Sequence, residues 1–325
     1  MIQILSDYFA NAQGWLFEAI VQPAVYALGL GAYAEESFEG LEWFMIGVCE
    51  LVLLFIFLRP LEALIPVHAI RDKHARLNDL IYTLVHRLGL FALVIFFTLD
   101  PLMDSLTGIL REYGVHPFNL ENFWPDLSPL MSFLLYFVVL DFFDYWYHRA
   151  SHAFNWWWGL HSLHHSQQDM NLWSDNRNHL LDDVMRDTYM AFIALGIGVQ
   201  PAQYVLLVSV SRALQSFQHA NIRLHFGRIG EYLLVSPRYH RMHHAIGIGH
   251  ESYGEESLGG CNFSVLLPVW DVIFQTANFK PEFVATGVRD QLPQMDSHGR
   301  IVPGRVYGDG FWQQQWLGFK RMLGG

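Results

Sequence analysis

The chain has 325 residues, of which 52% are hydrophobic and 15% aromatic, while only 16% are charged. This composition is too apolar for an ordinary soluble enzyme and favours a protein embedded in a membrane. The formal net charge of -11 argues against a nucleic-acid partner, because a surface that binds phosphate needs an excess of Lys and Arg. The two cysteines, Cys49 and Cys261, form no metal-spaced pair, which excludes a disulfide framework, an iron–sulfur cluster and a Cys-rich zinc site.

The first 40 residues are apolar but interrupted. Residues 14–34 contain Glu18, Gln22 and Pro23, so an interfacial helix and a membrane span fit them equally well. No basic residue precedes the first apolar stretch, and we therefore expect no cleavable signal peptide. We predict a non-cytoplasmic or interfacial segment at residues 1–40.

Three later stretches are candidates for membrane helices. Residues 41–58 and 80–99 each match the ~20 apolar residues needed to cross a bilayer. A third stretch begins near Leu130 and runs into a charged, histidine-bearing end. Residues 189–211 form two shorter apolar pieces around Pro201, which is typical of a kinked or re-entrant hairpin.

The distribution of Lys and Arg predicts which loops of the chain lie on the cytoplasmic side of the membrane. Residues 1–58 contain neither, the loop after the first span carries four, and the loop at 99–127 has only Arg111. Because cytoplasmic loops collect Lys and Arg, the third span should bring the chain back to the cytoplasmic side. The sequence thus predicts an all-α, multi-pass membrane helical bundle at residues 41–277, with about four membrane-entering or spanning helices and a cytoplasmic, histidine-rich helical cap.

Residues 278–325 are more polar and are predicted to be a cytoplasmic tail. Within them Trp312, Trp316, Phe319 and Leu323 recur at helical spacing. This pattern indicates an amphipathic helix that lies on the bilayer surface or packs against its own domain.

Nine of the seventeen histidines occupy three tight groups and one single position. The groups are HRASH at 148–152, HSLHH at 161–165 and HRMHH at 240–244, and His219 lies between the second and the third. Residues three and four apart meet on a helix surface, and imidazole is a ligand for Zn, Cu, Fe and Ni. Two HxxHH boxes are very improbable by chance, so the pattern predicts a metal site.

Nine imidazoles exceed the needs of one ion, since structural zinc takes four ligands and catalytic zinc three and a water. Two ions are therefore predicted. The Glu-x-x-His pairs of soluble diiron bundles and the His-Glu-x-x-His pattern of zincins are both absent from the sequence. A membrane dizinc hydrolase stays an alternative, as does a non-enzymatic metal- or haem-binding membrane protein whose histidines would line a path through the bilayer.

Two carboxylates precede the first box on the same helical face. Asp141 and Asp144 lie seven and four residues before His148, so we predict that they orient ligating imidazoles through the free ring N–H. The alternative is that both acids only mark the end of the span at the water interface. Asp182, Asp183 and Asp271 could serve in the same orienting role, and the sequence does not rank them.

The order HxxxH, HxxHH and a distant HxxHH resembles the fatty acid hydroxylase and sterol desaturase superfamily, which are membrane-bound histidine-box non-haem diiron oxygenases. The resemblance covers residues 141–276 and includes NRNHLLDD, FQHANIRLHFG and CNFSVLLPVWDVIFQT. Only eight residues separate His152 from His161, which favours the hydroxylase branch over acyl-CoA desaturases. The chain departs from the family pattern at Leu180 and at residues 274–276. Neither departure involves an implied ligand, so both bear on the subgroup within the family and not on the site.

The resemblance implies a membrane enzyme that hydroxylates or desaturates a lipid with O2, two Fe ions and a separate electron donor of the ferredoxin or cytochrome type. It places the site on the cytoplasmic side of the plasma membrane in a bacterium, or of the endoplasmic reticulum in a eukaryote. It names no catalytic residue beyond the metal ligands and gives no role to His225 or His250. The implied ligands are His148, His152, His161, His164, His165, His179, His219, His240, His243 and His244.

Overall fold

Helices dominate the part of the chain that a computed structural model describes, which comprises residues 2–88, 105, 108–114, 118–124, 126–247, 260–295 and 298–324. The chain divides into two compact units, residues 1–53 with 84–109 and residues 54–83 with 110–325. The predicted span at 80–99 is described only up to residue 88, and its remainder and His250 lie outside the described residues.

The first unit opens with a helical segment that changes its hydrogen-bonding pattern. Helix α1 (Ile2–Leu16) continues through a π-helical turn at Phe17–Val21 into α2 (Gln22–Ala27). A 3-10 turn at Gly31–Tyr33 follows. Residues 2–27 are thus one continuous helical stretch with a π-helical turn inside it, and the chain turns at residues 28–30 before the 3-10 turn.

Two of the described helices are long and apolar enough to cross a membrane. Helix α3 (Ala34–Leu64) lies in the first candidate, Gly31–Leu64. After α4 (Lys73–Arg87), helix α5 (Pro129–Ala153) is the second candidate. These helices contain the first and third predicted spans, whereas a total of about four membrane helices and a cytoplasmic cap stay predictions.

The remaining elements belong to the second unit, and most of them are short. A 3-10 turn at Leu120–Phe123 precedes α5, and two more lie at Ser174–Asn176 and Arg289–Gln291. The mostly helical fold confirms the predicted class, apart from one antiparallel hairpin in which Gln294 pairs with Val302. The helices and strands that follow α5 are α6 (Asn155–His165), α7 (Leu180–Ile197), α8 (Pro201–His219), α9 (Gly227–Gly230), α10 (Pro237–His243), α11 (Val269–Ile273), β1 (Gln294–Met295), β2 (Ile301–Val302) and α12 (Phe311–Met322).

Local sequence signals fix where the histidine-bearing helices begin. Ser128 caps α5 by accepting from the Met131 amide, and Ser236 caps α10 by accepting from the Tyr239 amide. In both helices a proline follows the cap, where its missing N–H costs nothing. Because both starts are fixed, the histidines further along each helix have a defined rotational position.

The core beneath the histidines is a packed group of three helices. Tyr136 and Leu140 of α5 pack with Ala194 of α7 and Leu207 of α8. Helix α7 ends at Gly198, which has φ of 82°, a left-handed conformation that glycine adopts easily. The turn there folds α8 back along α7, so the predicted hairpin at 189–211 is present as two helices.

Candidate metal centre

The nine clustered histidines converge on two neighbouring groups in the second unit. In each group, one ring nitrogen from every histidine lies within 4.8 Å of the others. Eight of these side chains are buried, and that of His161 is partly buried. The larger cluster contains His148, His152, His161, His165 and His243, and the smaller cluster contains His164, His219, His240 and His244.

Each HxxHH box contributes to both clusters. On α6, the first and last histidines of the box join the larger cluster and the middle one joins the smaller. On α10 the assignment is reversed: the first and last histidines join the smaller cluster and the middle one joins the larger. Residues i and i+4 differ by about 40° around a helix axis, whereas i+3 and i+4 differ by about 100°. The box spacing therefore directs histidines from one helix to two clusters.

In the smaller cluster the Nε2 atoms are in close contact. His219 Nε2 lies 3.1 Å from His164 Nε2 and 2.9 Å from His240 Nε2, which in turn lies 3.1 Å from His244 Nε2. Nδ1 of His219 donates to the Gln215 carbonyl at 2.8 Å, so its Nε2 carries a lone pair. Nitrogen atoms held this close are stabilised by a shared cation, and the arrangement fits a metal ion bound by imidazoles.

Burial keeps the smaller cluster neutral. It lowers the pKa of His164, His240 and His244 well below the ordinary value of 6.5, and neighbouring histidines lower it further. The pKa of His219 is lowered by burial as well. Neutral imidazole is the form that binds metal ions, so this environment prepares the rings for that role.

In the larger cluster, backbone carbonyls select the binding nitrogen of two rings. His148 donates from Nδ1 to the Phe263 carbonyl at 2.8 Å, and His243 donates from Nδ1 to the Cys261 carbonyl at 2.7 Å. A carbonyl only accepts, so each Nδ1 carries the proton and each Nε2 is left to bind a metal. These acceptors escaped the sequence analysis because a backbone carbonyl leaves no side-chain signal.

A carboxylate orients a third ring of this cluster. Asp182 accepts from His161 Nδ1 at 3.0 Å, from Trp157 Nε1 at 2.7 Å and from the Tyr147 hydroxyl at 2.9 Å. Burial raises the pKa of Asp182, but these hydrogen bonds outweigh it and lower the pKa below its usual value. His161 Nε2, by contrast, has no hydrogen-bond partner among the described residues, which fits a nitrogen reserved for a metal ion.

The two carboxylates predicted for this orienting role have other partners. Asp141 accepts from the Leu266 and Leu267 amides and from Trp270 Nε1 at 2.9–3.0 Å. Asp144 forms a bidentate ion pair with Arg186. Their helical face was predicted correctly, but loop 260–267 and α7 pack closer to them than the imidazoles do, so Asp182 takes the role instead.

The structure does not bring His179, the tenth predicted ligand, into either cluster. Its Nε2 donates to the Gln315 carbonyl at 2.8 Å, and its Nδ1 accepts from the Leu181 amide at 3.2 Å. Both ring nitrogens are thereby used to cap α7 and to hold α12. His225, which the sequence analysis left out, is exposed and also lies outside the clusters.

A cavity of about 70 Å³ borders both clusters. His148 and His161 line it from the larger cluster and His164, His219 and His240 from the smaller. A second, more apolar cavity of about 50 Å³ lies between α5, α7 and α8. The two cavities share Asp144, Arg186 and Gln215 in their walls.

Comparison with known proteins identifies the segment that holds the clusters. Residues 133–276 match the fatty acid hydroxylase family. The human alkylglycerol monooxygenase is 29% identical over 152 residues, which is 47% of this chain and 32% of the relative, and the Xenopus tropicalis enzyme is 29% identical over 148 residues, or 46% and 30%. Sphingolipid C4-hydroxylase sur2 of Schizosaccharomyces pombe is 24% identical over 165 residues, which is 50% of this chain and 53% of the relative.

The matched part spans about a third of the alkylglycerol monooxygenases. No solved structure matches the chain. The family match covers both HxxHH boxes and the HxxxH box, and so contains every histidine of the two clusters. The resemblance inferred from the histidine spacing is thereby confirmed for this segment: residues 133–276 form a fatty acid hydroxylase domain.

Proposed function

We propose that this protein is a membrane-bound, non-haem diiron oxygenase that hydroxylates a lipid with O2 and electrons from a separate donor. The observation that carries the proposal is the division of nine imidazoles, eight of them buried, into groups of five and four. Structural zinc takes four protein ligands, and nine imidazoles in two separate groups exceed what one such ion uses, so the two groups support two ions. When bound, two iron ions would supply the redox chemistry for oxidising a C–H bond, which redox-inert zinc does not.

The chain's own residues would hold and orient this centre. Asp182 and the carbonyls of Gln215, Cys261 and Phe263 hold Nδ1 protons and so direct Nε2 atoms inward. Burial of the rings excludes bulk water, which protects a reactive centre from side reactions. The protein thus contributes a fixed orientation of the imidazole rings and a cavity from which bulk water is excluded.

The apolar cavity supports a lipid substrate. Phe137 and Leu140 of α5 line it with Met190 of α7 and Leu207 of α8. An alkyl chain that enters between these helices reaches the histidine cavity past Asp144 and Arg186. The relatives carry the names monooxygenase and hydroxylase, which favours oxygen insertion over desaturation and makes alkylglycerols and sphingolipids the first lipids to test.

We also propose a multi-pass topology with the histidine centre on the cytoplasmic side. Both candidate spans have the length and hydropathy for crossing, and the basic residues collect in the loops assigned to the cytoplasm. In the tail, α12 buries Gln314, Gln315 and Gly318 and exposes Trp312 and Trp316. This outward apolar face supports the assignment of α12 to the bilayer surface.

The proposal is tested by metal analysis and lipid profiling of the full chain, with His164→Ala as the inactive variant and His225→Ala as the matched control. We expect about two iron ions per chain in the wild type, iron-dependent oxygen uptake, and one lipid class that gains the mass of an oxygen atom. His164→Ala should lose the product, because it removes a ligand of the smaller cluster, and His225→Ala should keep it.

Three results would contradict the proposal. Zinc-dependent ester or amide hydrolysis without oxygen uptake would identify the dizinc hydrolase. Bound haem would favour the non-enzymatic alternative, whereas purified protein without a transition metal would contradict a metal site of any kind. A lipid product with two hydrogens fewer than its substrate would show that the reaction is desaturation and not hydroxylation.

A further inference from the structure

Gln218 has a buried amide without a partner beside both histidine clusters. Its side chain is 1% exposed, and neither Oε1 nor Nε2 forms a hydrogen bond within the described part of the chain. Leaving a buried polar group unsatisfied costs about 1–3 kcal/mol. A side chain of this kind is best explained by a group that binds there and completes its hydrogen bonds.

Other amides near the centre are satisfied, which sets Gln218 apart. Gln215, one turn earlier on α8, donates from Nε2 to Ser211 Oγ at 2.9 Å. Gln315 donates to the Tyr82 hydroxyl at 3.1 Å, and Gln167 donates to Asp79. The unsatisfied amide is thus a property of position 218 and not of buried amides in this fold.

The position of Gln218 relates it to the reacting centre. It is adjacent to His219 in the sequence, and it lines the cavity that both clusters border. A cavity of about 70 Å³ has room for a few heavy atoms, because a water molecule takes about 30 Å³ of liquid volume. The cavity can therefore hold a reacting carbon and one small polar group, but not a whole lipid.

We propose that the Gln218 amide binds a hydroxyl or ether oxygen of the lipid and so places the neighbouring carbon at the metal centre. Oε1 can accept from a hydroxyl, and Nε2 can donate to an ether oxygen. The alkyl chain then lies toward the apolar cavity, beyond Asp144 and Arg186. Gln218 is thus a positioning residue. It favours oxidation of a carbon next to a polar group over oxidation of a carbon in the middle of a hydrocarbon chain. This inference rests on the proposed function.

The test measures binding of two probes to the full chain in lipid nanodiscs. The probes are hexadecyl glycerol ether and hexadecane, which share an alkyl chain and differ in the polar group. Gln218→Met keeps the size of the side chain and removes its hydrogen bonds, and Gln218→Asn restores an amide. The matched control is Gln203→Met on the same helix, because Gln203 bonds to Ser132 and does not line either cavity at the centre.

We expect Gln218→Met to raise the Kd for the glycerol ether about five- to tenfold, the effect of one lost hydrogen bond, and to leave hexadecane binding unchanged. Gln218→Asn should recover part of the affinity, and Gln203→Met should bind both probes like the wild type. Iron content should match the wild type in Gln218→Met, and the thermal midpoint of the lipid-free protein should not fall, because the variant loses an unsatisfied buried amide. This separates positioning from folding.

Equal ether affinity in Gln218→Met and wild type overturns the inference, and so does an equal loss of both probes. Either result leaves the proposed oxygenase intact if iron loading and oxygen uptake persist. A wild type that binds neither probe and no iron overturns the proposed function together with this inference.

Discussion

A histidine binds a metal ion through a ring nitrogen that carries no proton. The group that accepts a hydrogen bond from the other ring nitrogen therefore determines which nitrogen can bind the metal. His161 is the ring whose acceptor is a carboxylate, that of Asp182. A carboxylate also raises the basicity of the imidazole that donates to it. Asp182 thereby links the start of α7 to the larger cluster.

Replacing Asp182 by Asn should weaken metal binding while the ligands stay in place. We expect Asp182→Asn to lower the affinity for one of the two ions about 10- to 100-fold, as is typical when the partner of a ligating histidine is lost. Competition with a chelator of known affinity measures this. Asp187→Asn, five residues later on α7, is the control, because Asp187 lies 3.9 Å from Arg212 and contacts no cluster histidine. Equal affinities in the two variants would rule out the orienting role.

His179 should make the stability of the folded chain depend on pH. Burial lowers its pKa below the ordinary 6.5, although its hydrogen bond to the Gln315 carbonyl raises it in part. The folded state therefore keeps the ring neutral at a pH where the unfolded chain takes up a proton. The stability that this ring supplies above pH 6.5 is lost as the pH falls from 6.5 through the folded pKa, by at most about 1.4 kcal/mol per pH unit.

Thermal unfolding of the wild type and of His179→Asn across this pH range measures the effect. Asn retains a cap for α7 but does not titrate, so the difference in stability between the two proteins should shrink as the pH falls. A difference that stays constant with pH would show that His179 keeps its charge state on unfolding.

At the scale of elements, α12 lies on α6 at unusually short range. A Cβ on Gly159 would lie 2.5 Å from the Met322 backbone nitrogen, and one on Gly318 would lie 2.6 Å from the His179 ring. The absence of side chains at these two glycines lets the helices approach. Helix α6 carries three cluster histidines, so α12 supports the metal centre from behind.

Adding a side chain between α6 and α12 should destabilise the protein. We expect Gly159→Ala to lower the free energy of unfolding by about 1–3 kcal/mol, the usual cost of overpacking. Gly196→Ala is the control, since Gly196 lies within α7 with no atom within 4 Å of the added Cβ, and it should raise stability by about 0.5–1 kcal/mol. Denaturant titrations of both variants give the comparison, and a neutral Gly159→Ala would contradict the close packing.

The outer face of α12 is expected to lie in the lipid headgroup region. Trp312 is 75% exposed and Leu323 70% exposed, which is a large apolar area for a helix in water. A spin label at Trp316→Cys, in a chain with Cys49→Ser, should be more accessible to oxygen than to a water-soluble nickel complex. A label at Gln313→Cys, on the flank of the same helix, should show the opposite order. Equal nickel accessibility at both positions would place this face in water.

At the scale of the whole molecule, the metal centre joins elements that are far apart in sequence. Its ligands come from α5, α6, the end of α8 and the end of α10. An ion that binds the folded state but not the unfolded chain stabilises it by mass action, about 4 kcal/mol at a thousand times Kd. Ions bound at the two clusters would thus stabilise the fold in addition to supplying the proposed chemistry.

Removing the metal should therefore lower the thermal midpoint by several degrees or more. We expect a strong chelator to cause this shift in the wild type and in His225→Ala, and Fe(II) to reverse it. His164→Ala should shift less, because the smaller cluster has already lost a ligand. A thermal midpoint that is independent of chelator would show that the histidines hold no ion that matters for folding.

The sequence by itself determined the helical class, two helices long and apolar enough to cross a membrane, the nine clustered histidines and the family of the segment that carries them. These properties depend on local patterns: apolar length for a span and i, i+3, i+4 spacing for ligands on one helix. Such patterns can be read without knowledge of the packing, which is why the HxxHH boxes predicted a metal site and the number of clustered histidines predicted two ions.

Only the tertiary structure decided how the ligands divide and what orients them. The five-and-four division, the choice of Asp182 over Asp141 and Asp144, and the capping role of His179 all depend on which helix lies next to which. Asp182 and His161 are distant along the chain, and the carbonyls of Cys261 and Phe263 belong to a loop without a motif. Contacts of this kind arise from packing, because hydrogen bonds form between neighbours in space and leave no periodic trace in the sequence.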